Sequence, residues 1–82
     1  MKIIWDEPKR QQNLAKHGLD FADLLIEFFL DAHIENARNG RFLAIGDYNG
    51  QTIVAVVFKL LGSEALSVIS MRYASRKERS RS

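Results

Sequence analysis

Four side chains on one short stretch of this chain are of the types that hold a phosphate and move a proton. At about 100° per residue along a helix, Lys9, Asn13, Lys16 and His17 fall within an arc of roughly 100°, with Arg10 at its margin. Two ammonium groups on that arc attract phosphate oxygens, and an imidazole changes charge near neutrality, where a general acid or base has to work. The same arc also describes a solvated helix face whose terminal histidine meets the negative end of the helix dipole. Little of this helix is apolar. Leu14 and Ala15 are the residues inside it that could anchor it, so Trp5 and Leu19 are expected to supply the packing.

A second concentration of charge lies at the other end. From Arg72 onward there are five Lys or Arg residues against one acidic residue, so this end carries +4 while residues 21–71 carry −3 and the whole chain +2. Such a polarised molecule suits a polyanionic partner, because Lys and Arg release the counterions that phosphates condense. Arg72 ends an apolar run, and strand alternation predicts Leu66, Val68, Ser70 and Arg72 on one face, with Ser67, Ile69, Met71 and Tyr73 on the other. An arginine there also fits an ordinary ion pair with Glu64, Asp47 or a helix carboxylate. Arg76, Lys77 and Arg79 extend the cationic end, as a phosphate surface or a solvated helix, and Tyr73 is placed to stack on a base or to pack.

The elements that must position these residues are legible in outline. Lys2 to Trp5 reads as a strand, Asp6 as the cap of a helix with Pro8 in its first turn, and Gly18 as that helix's end. A second helix is expected behind Asp20, because Phe21, Leu24, Leu25 and Phe28 recur at helical spacing; Ala22, Ile26 and Phe29 widen that stripe, so the helix is either buried on two sides or leaves apolar surface for a partner. His33 is expected at its end, on the surface. Strands follow at Arg41 to Tyr48, Thr52 to Leu60 and Leu66 to Arg72, with Asn49-Gly50 as a hairpin signal. Ser75 and Glu78 form a capping-box pattern that opens a last, short helix or basic tail over 76–82. The reading is one α+β domain over 1–82 in the order β-α-α-β-β-β-α, an antiparallel sheet with helices packed on one face.

Composition narrows the classes. The 82 residues are 46% hydrophobic, as in a globular domain, and no apolar run reaches the length of a membrane span. The start turns acidic after two apolar residues, unlike a secretion signal, so the cytoplasm is the expected location. There is no cysteine, and His17 and His33 are not at ligand spacing, so neither metal nor cofactor is expected.

Two motifs carry a family resemblance. Trp5-Asp6-Glu7-Pro8-Lys9, Asn13, Lys16-His17-Gly18 and then Phe21 resemble the opening of BrnT-type toxins, and Val68-Ile-Ser-Met-Arg-Tyr-Ala-Ser-Arg-Lys-Glu-Arg79 resembles their close, with Arg41 between the two. Tyr73, at a position often basic in that family, and the stop at Ser82, where relatives tend to continue, depart from the pattern. The resemblance implies a RelE-like ribonuclease fold, RNA cleavage that arrests translation, and neutralisation by a ribbon-helix-helix antitoxin that itself binds operator DNA.

RNA can be cut without metal when its own 2′-hydroxyl attacks the neighbouring phosphorus, which takes one proton-transfer group and several cations. On that scheme His17 is the acid/base. Arg72 and Arg76 clamp the phosphate, Arg41 assists, and Lys9, Lys16, Tyr73, Lys77 and Arg79 bind the strand. Ile26 and Phe29 are expected to meet the antitoxin. Two other classes fit the same residues: a catalytically weak toxin-fold subunit that represses its operon with the antitoxin, and an unrelated small RNA-binding domain.

Overall fold

The computed structural model describes residues 1–81, so the last residue of the expected tail, Ser82, lies outside the described residues. Strand β1 (Lys2–Trp5) lays Ile3 and Trp5 on the core. Asp6 then caps helix α1 (Glu7–His17) by accepting the Lys9 N–H at 3.3 Å. At the far end Gly18 adopts φ 70°, the left-handed conformation that a side chain would disfavour, and its N–H closes on the Leu14 carbonyl.

The expected second helix is shorter and broken. Asp20 caps a single 3-10 turn (Phe21–Asp23), the backbone extends through Leu24 and Leu25, and only Ile26–Asp31 forms helix α2. The break buries Phe21, Leu24, Phe28 and Phe29 together, while Leu25 and Leu30 turn outward, 65% and 76% exposed. Phe29 therefore belongs to the core and not to a partner surface: its ring meets Phe28 and Phe58 edge-on, each at 5.1 Å between centroids. Ile26 is half-buried against the same cluster.

Four strands follow where three were expected: β2 (His33–Asn36), β3 (Phe42–Asp47), β4 (Ile53–Leu61) and β5 (Ala65–Tyr73), and then helix α3 (Arg76–Arg79). The extra strand, β2, has four residues, is mostly exposed and lies at the sheet edge, so it carries little apolar alternation to betray it. His33 opens this strand and stays on the surface. The sheet order is β1-β5-β4-β3-β2, with β1 parallel to β5 and every other pair antiparallel. The α+β class holds, although α3 lies against the opposite face from α2. There Ala74 packs with Ile45 and Ala55, and Arg81 pairs with Glu35 at 2.9 Å.

A register shift in β5 decides which side chains share a face. Val57 stands opposite Ser70 and Phe58 opposite Val68, so Ile69 is left over as a bulge. Leu66 and Val68 before it and Met71 after it all reach the same core, whereas unbroken alternation would separate them. Ser70 and Arg72 consequently lie on the face that α3 covers.

Strand β1 stops at Trp5, opposite Val68, and leaves the edge of β5 bare beyond that point. Helix α1 runs along this bare edge. Asn13 is the residue of α1 that is buried; its amide oxygen accepts the Met71 N–H and its amide N–H donates to the Leu19 carbonyl, both at 3.1 Å. Leu14 and Ala15, the expected anchors, face solvent. Replacing Asn13 with Ala strands a buried N–H and a buried C=O, so urea denaturation should show a loss of about 1–3 kcal/mol. An unchanged unfolding midpoint would mean that the amide anchors nothing.

Candidate active site

Because Asn13 points the centre of the basic arc at β5, the side chains beside it line a groove. Lys9, Gln12, Lys16 and His17 form one wall and Ile69 and Ser70 the other, around a volume of about 300 Å³. Lys9 and Lys16 are exposed and His17 is half-buried. Three of the residues expected to act on RNA thus meet in one place. The groove combines two cations, an imidazole and a serine hydroxyl, which together can bind an anion and exchange a proton with it.

Arg72 stands two residues beyond Ser70, about 6.6 Å further along the same face of the strand. Its Nη1 and Nη2 donate to Oε1 and Oε2 of Glu78 at 2.7 and 2.9 Å. Glu78 is in turn the reciprocal partner of Ser75 in a capping box, accepting the Ser75 N–H at 2.9 Å while Ser75 Oγ accepts the Glu78 N–H at 3.1 Å. The Arg72 guanidinium, with help from the Ser75 N–H, holds the Glu78 carboxyl down at about 2, and the arginine is raised in return.

The other expected residues are distributed less favourably. Arg10 is withdrawn from the groove because it bridges Glu7 and Asp20, with Nη2 at 2.6 Å from Glu7 and Nη1 at 3.0 Å from Asp20. Arg41 caps the turn before β3, four residues from Ile45, which is aligned with Arg72 through Ala55. That places it about 13 Å along the strands and two strands across, so the structure does not bring Arg41 to Arg72. Tyr73 shares its face with Met71 and is turned away from Arg72. Arg76, Lys77 and Arg79 are exposed on α3, beside the Arg72–Glu78 fork.

A larger cavity, about 550 Å³, lies between α2 and the β3–β4 loop, but its charged lining is Asp31 and Asp47. An adjoining groove adds Asp23 and Glu27. Phosphate is repelled there, so size is a poor guide in this molecule and the cationic groove on α1 is the better site. Gln12, Ile69 and Ser70 were not expected to line it. For Ile69 and Ser70 the signal was present in the Val68-Ile-Ser stretch of the closing motif; for Gln12 there was none.

The model of the family described as ribonuclease toxin, BrnT, of type II toxin–antitoxin system matches residues 5–78. Among solved structures, the chain is similar to the crystal structure of the Brucella abortus ribonuclease toxin, BrnT, at 67% sequence identity and a TM-score of 0.88, covering 93% of this chain and 99% of that one. No curated protein matches the chain.

The fork between Arg72 and Glu78 has a pH signature. A carboxyl depressed from 4.5 to about 2 in the folded state contributes stability that is complete above the unfolded value and is lost as pH falls through the folded one. Melting temperature should therefore fall between about pH 5 and pH 2, and less steeply in Glu78→Gln. Equal slopes for the two proteins over that window would show that the fork does not form in solution.

Proposed function

This chain belongs to the BrnT family of ribonuclease toxins of type II toxin–antitoxin systems, and we propose that it cuts RNA without metal, through the groove between α1 and β5. The observation that carries this reading is the meeting of Lys9, Lys16 and His17 with Ser70 in one groove, with Arg72 two residues beyond Ser70 on the same face of β5. His17 removes the proton of the 2′-hydroxyl, the O2′–phosphorus bond forms as the phosphorus–O5′ bond breaks, and the leaving oxygen takes a proton from solvent. The products are a 2′,3′-cyclic phosphate and a 5′-hydroxyl. Arg72 meets the phosphoryl oxygens, where charge builds up during the displacement, and Arg76, exposed at the start of α3, shares that charge. Lys9 and Lys16 hold the flanking phosphates as point charges, with Lys77 and Arg79 extending the path. Arg41 and Tyr73 have no part in this arrangement.

The consequence in the cell is arrest of translation through loss of RNA, relieved when a ribbon-helix-helix antitoxin binds. Supporting a protein partner, the short helix α2 leaves Leu25 and Leu30 in solvent and Ile26 half-covered. These residues replace Phe29 as the apolar surface that α2 offers.

Cleavage by the full chain should persist in excess EDTA and yield cyclic phosphate ends. His17→Gln should lower the rate on the order of a hundredfold and remove the limb of the pH–rate profile near neutrality. Retention of that limb, or loss of cleavage on chelation alone, would remove His17 or the metal-free scheme respectively. Induced without antitoxin, the chain should stop growth and the His17→Gln variant should not.

A further inference from the structure

Arg72 presents two distinct N–H edges. Its end-on edge, the inner hydrogens of Nη1 and Nη2, is occupied by the two oxygens of Glu78. The side-on edge, formed by Nε and the outer hydrogen of Nη2, has no acceptor among the described residues, and it offers a second parallel pair of N–H groups that can hold two phosphate oxygens. Exposure follows the same division: the Arg72 side chain is 40% exposed and that of Glu78 14%. The carboxylate lies behind the guanidinium and is itself fixed from behind by Ser75, through both halves of the capping box.

We infer that Glu78 is a positioning residue for the reaction: by gripping the end-on edge of Arg72, it aims the free side-on edge at the substrate phosphate. An arginine without such a grip samples many rotamers, and the phosphate must then order it during binding or in the transition state. With the grip, the fork is already oriented when charge develops on the phosphoryl oxygens. The capping box thereby acquires a second purpose. Ser75 orders Glu78, Glu78 orders Arg72, and the start of a four-residue helix becomes the rear support of an anion site on the sheet. This inference rests on the reading that Arg72 meets the phosphate.

Glutamine at position 78 keeps the capping-box pattern, so Glu78→Gln weakens the grip on Arg72 while leaving α3 able to start. The test is single-turnover cleavage of a mixed-sequence single-stranded RNA by the full chain, Arg72→Ala, Glu78→Gln and the double variant, with circular dichroism to confirm folding. Arg72→Ala should lose on the order of a hundredfold in rate. Glu78→Gln should lose about tenfold at saturating RNA with little change in the half-saturating concentration, and the double variant should be no slower than Arg72→Ala. Losses that multiply in the double variant would make Glu78 an independent structural residue and overturn the inference. So would a Glu78→Gln rate equal to or above that of the unmodified chain while Arg72→Ala is impaired; in either case the reading of Arg72 stands. Full activity of Arg72→Ala would instead remove that reading, and the inference with it. If Arg72→Ala does not fold, Arg72→Lys, which keeps the charge without the fork, takes its place in the same cycle.

Discussion

Helix α1 is held to the sheet by a buried amide. A hydrophobic stripe lets a helix roll by some tens of degrees before much area is lost, because burial is non-directional. Asn13 permits no such roll, since its oxygen and its N–H are each bonded to a main-chain group, one on β5 and one beyond the helix's own end. Losing either bond leaves a desolvated polar group, which is why buried networks of this kind specify geometry more strictly than apolar contacts do. With the rotation of α1 set in this way, Lys9 and Lys16 on one side and His17 on the other face Ser70 across the groove. The same interaction covers an unpaired strand edge, so one amide serves both the sheet and the site.

The two faces of the sheet are stabilised by different chemistry. Toward α2 the contacts are aromatic, with Phe29 edge-on to Phe58 and Phe58 stacked against Phe42 at 5.6 Å. Gly46 marks how closely α2 approaches β3: a Cβ there would stand 3.2 Å from the Ala32 methyl and 3.3 Å from the Phe28 ring. Toward α3 a small apolar cluster is bordered by charged links, Arg72 to Glu78 and Arg81 to Glu35. Charge is divided as well. Asp23, Glu27, Asp31 and Asp47 gather at the α2 end of the molecule, and the cations gather on α1 and α3. The resulting field turns the groove toward an approaching polyanion and the acidic end away from it.

Local signals were easy to read in this sequence and long-range ones were not. The Asp6 and Ser75 caps and the stop at Gly18 depend on neighbours within four residues, and they appear where their residue types predict. The basic arc was visible by projection, but its centre, Asn13, looked like one more polar residue because its partner lies 58 positions away. Three features escaped for related reasons. The bulge at Ile69 is a matter of pairing and leaves no mark in composition; it reassigned Met71 to the core side and Arg72 to the α3 side. Strand β2 has too little apolar character to show. Phe29 looked like excess surface until the break at Leu24 and Leu25 gave it a place inside. Arg41 illustrates the converse, a residue at a suitable place along the motif that register puts at the other end of the sheet.

The parallel pairing of β1 with β5 joins residues 2–5 to residues 65–68. A chain emerging from the ribosome in order therefore carries β1 with no partner until residues 65–68 have been made, and α1 waits longer still, until the Met71 N–H exists. The β3–β4 hairpin closes a short loop, whereas the edge that receives α1 depends on pairings between distant parts of the sequence. For a protein of this family the order has a temporal meaning. The groove cannot assemble on a growing chain before β5 has been made, because one of its walls and the Met71 N–H that anchors α1 both belong to that strand.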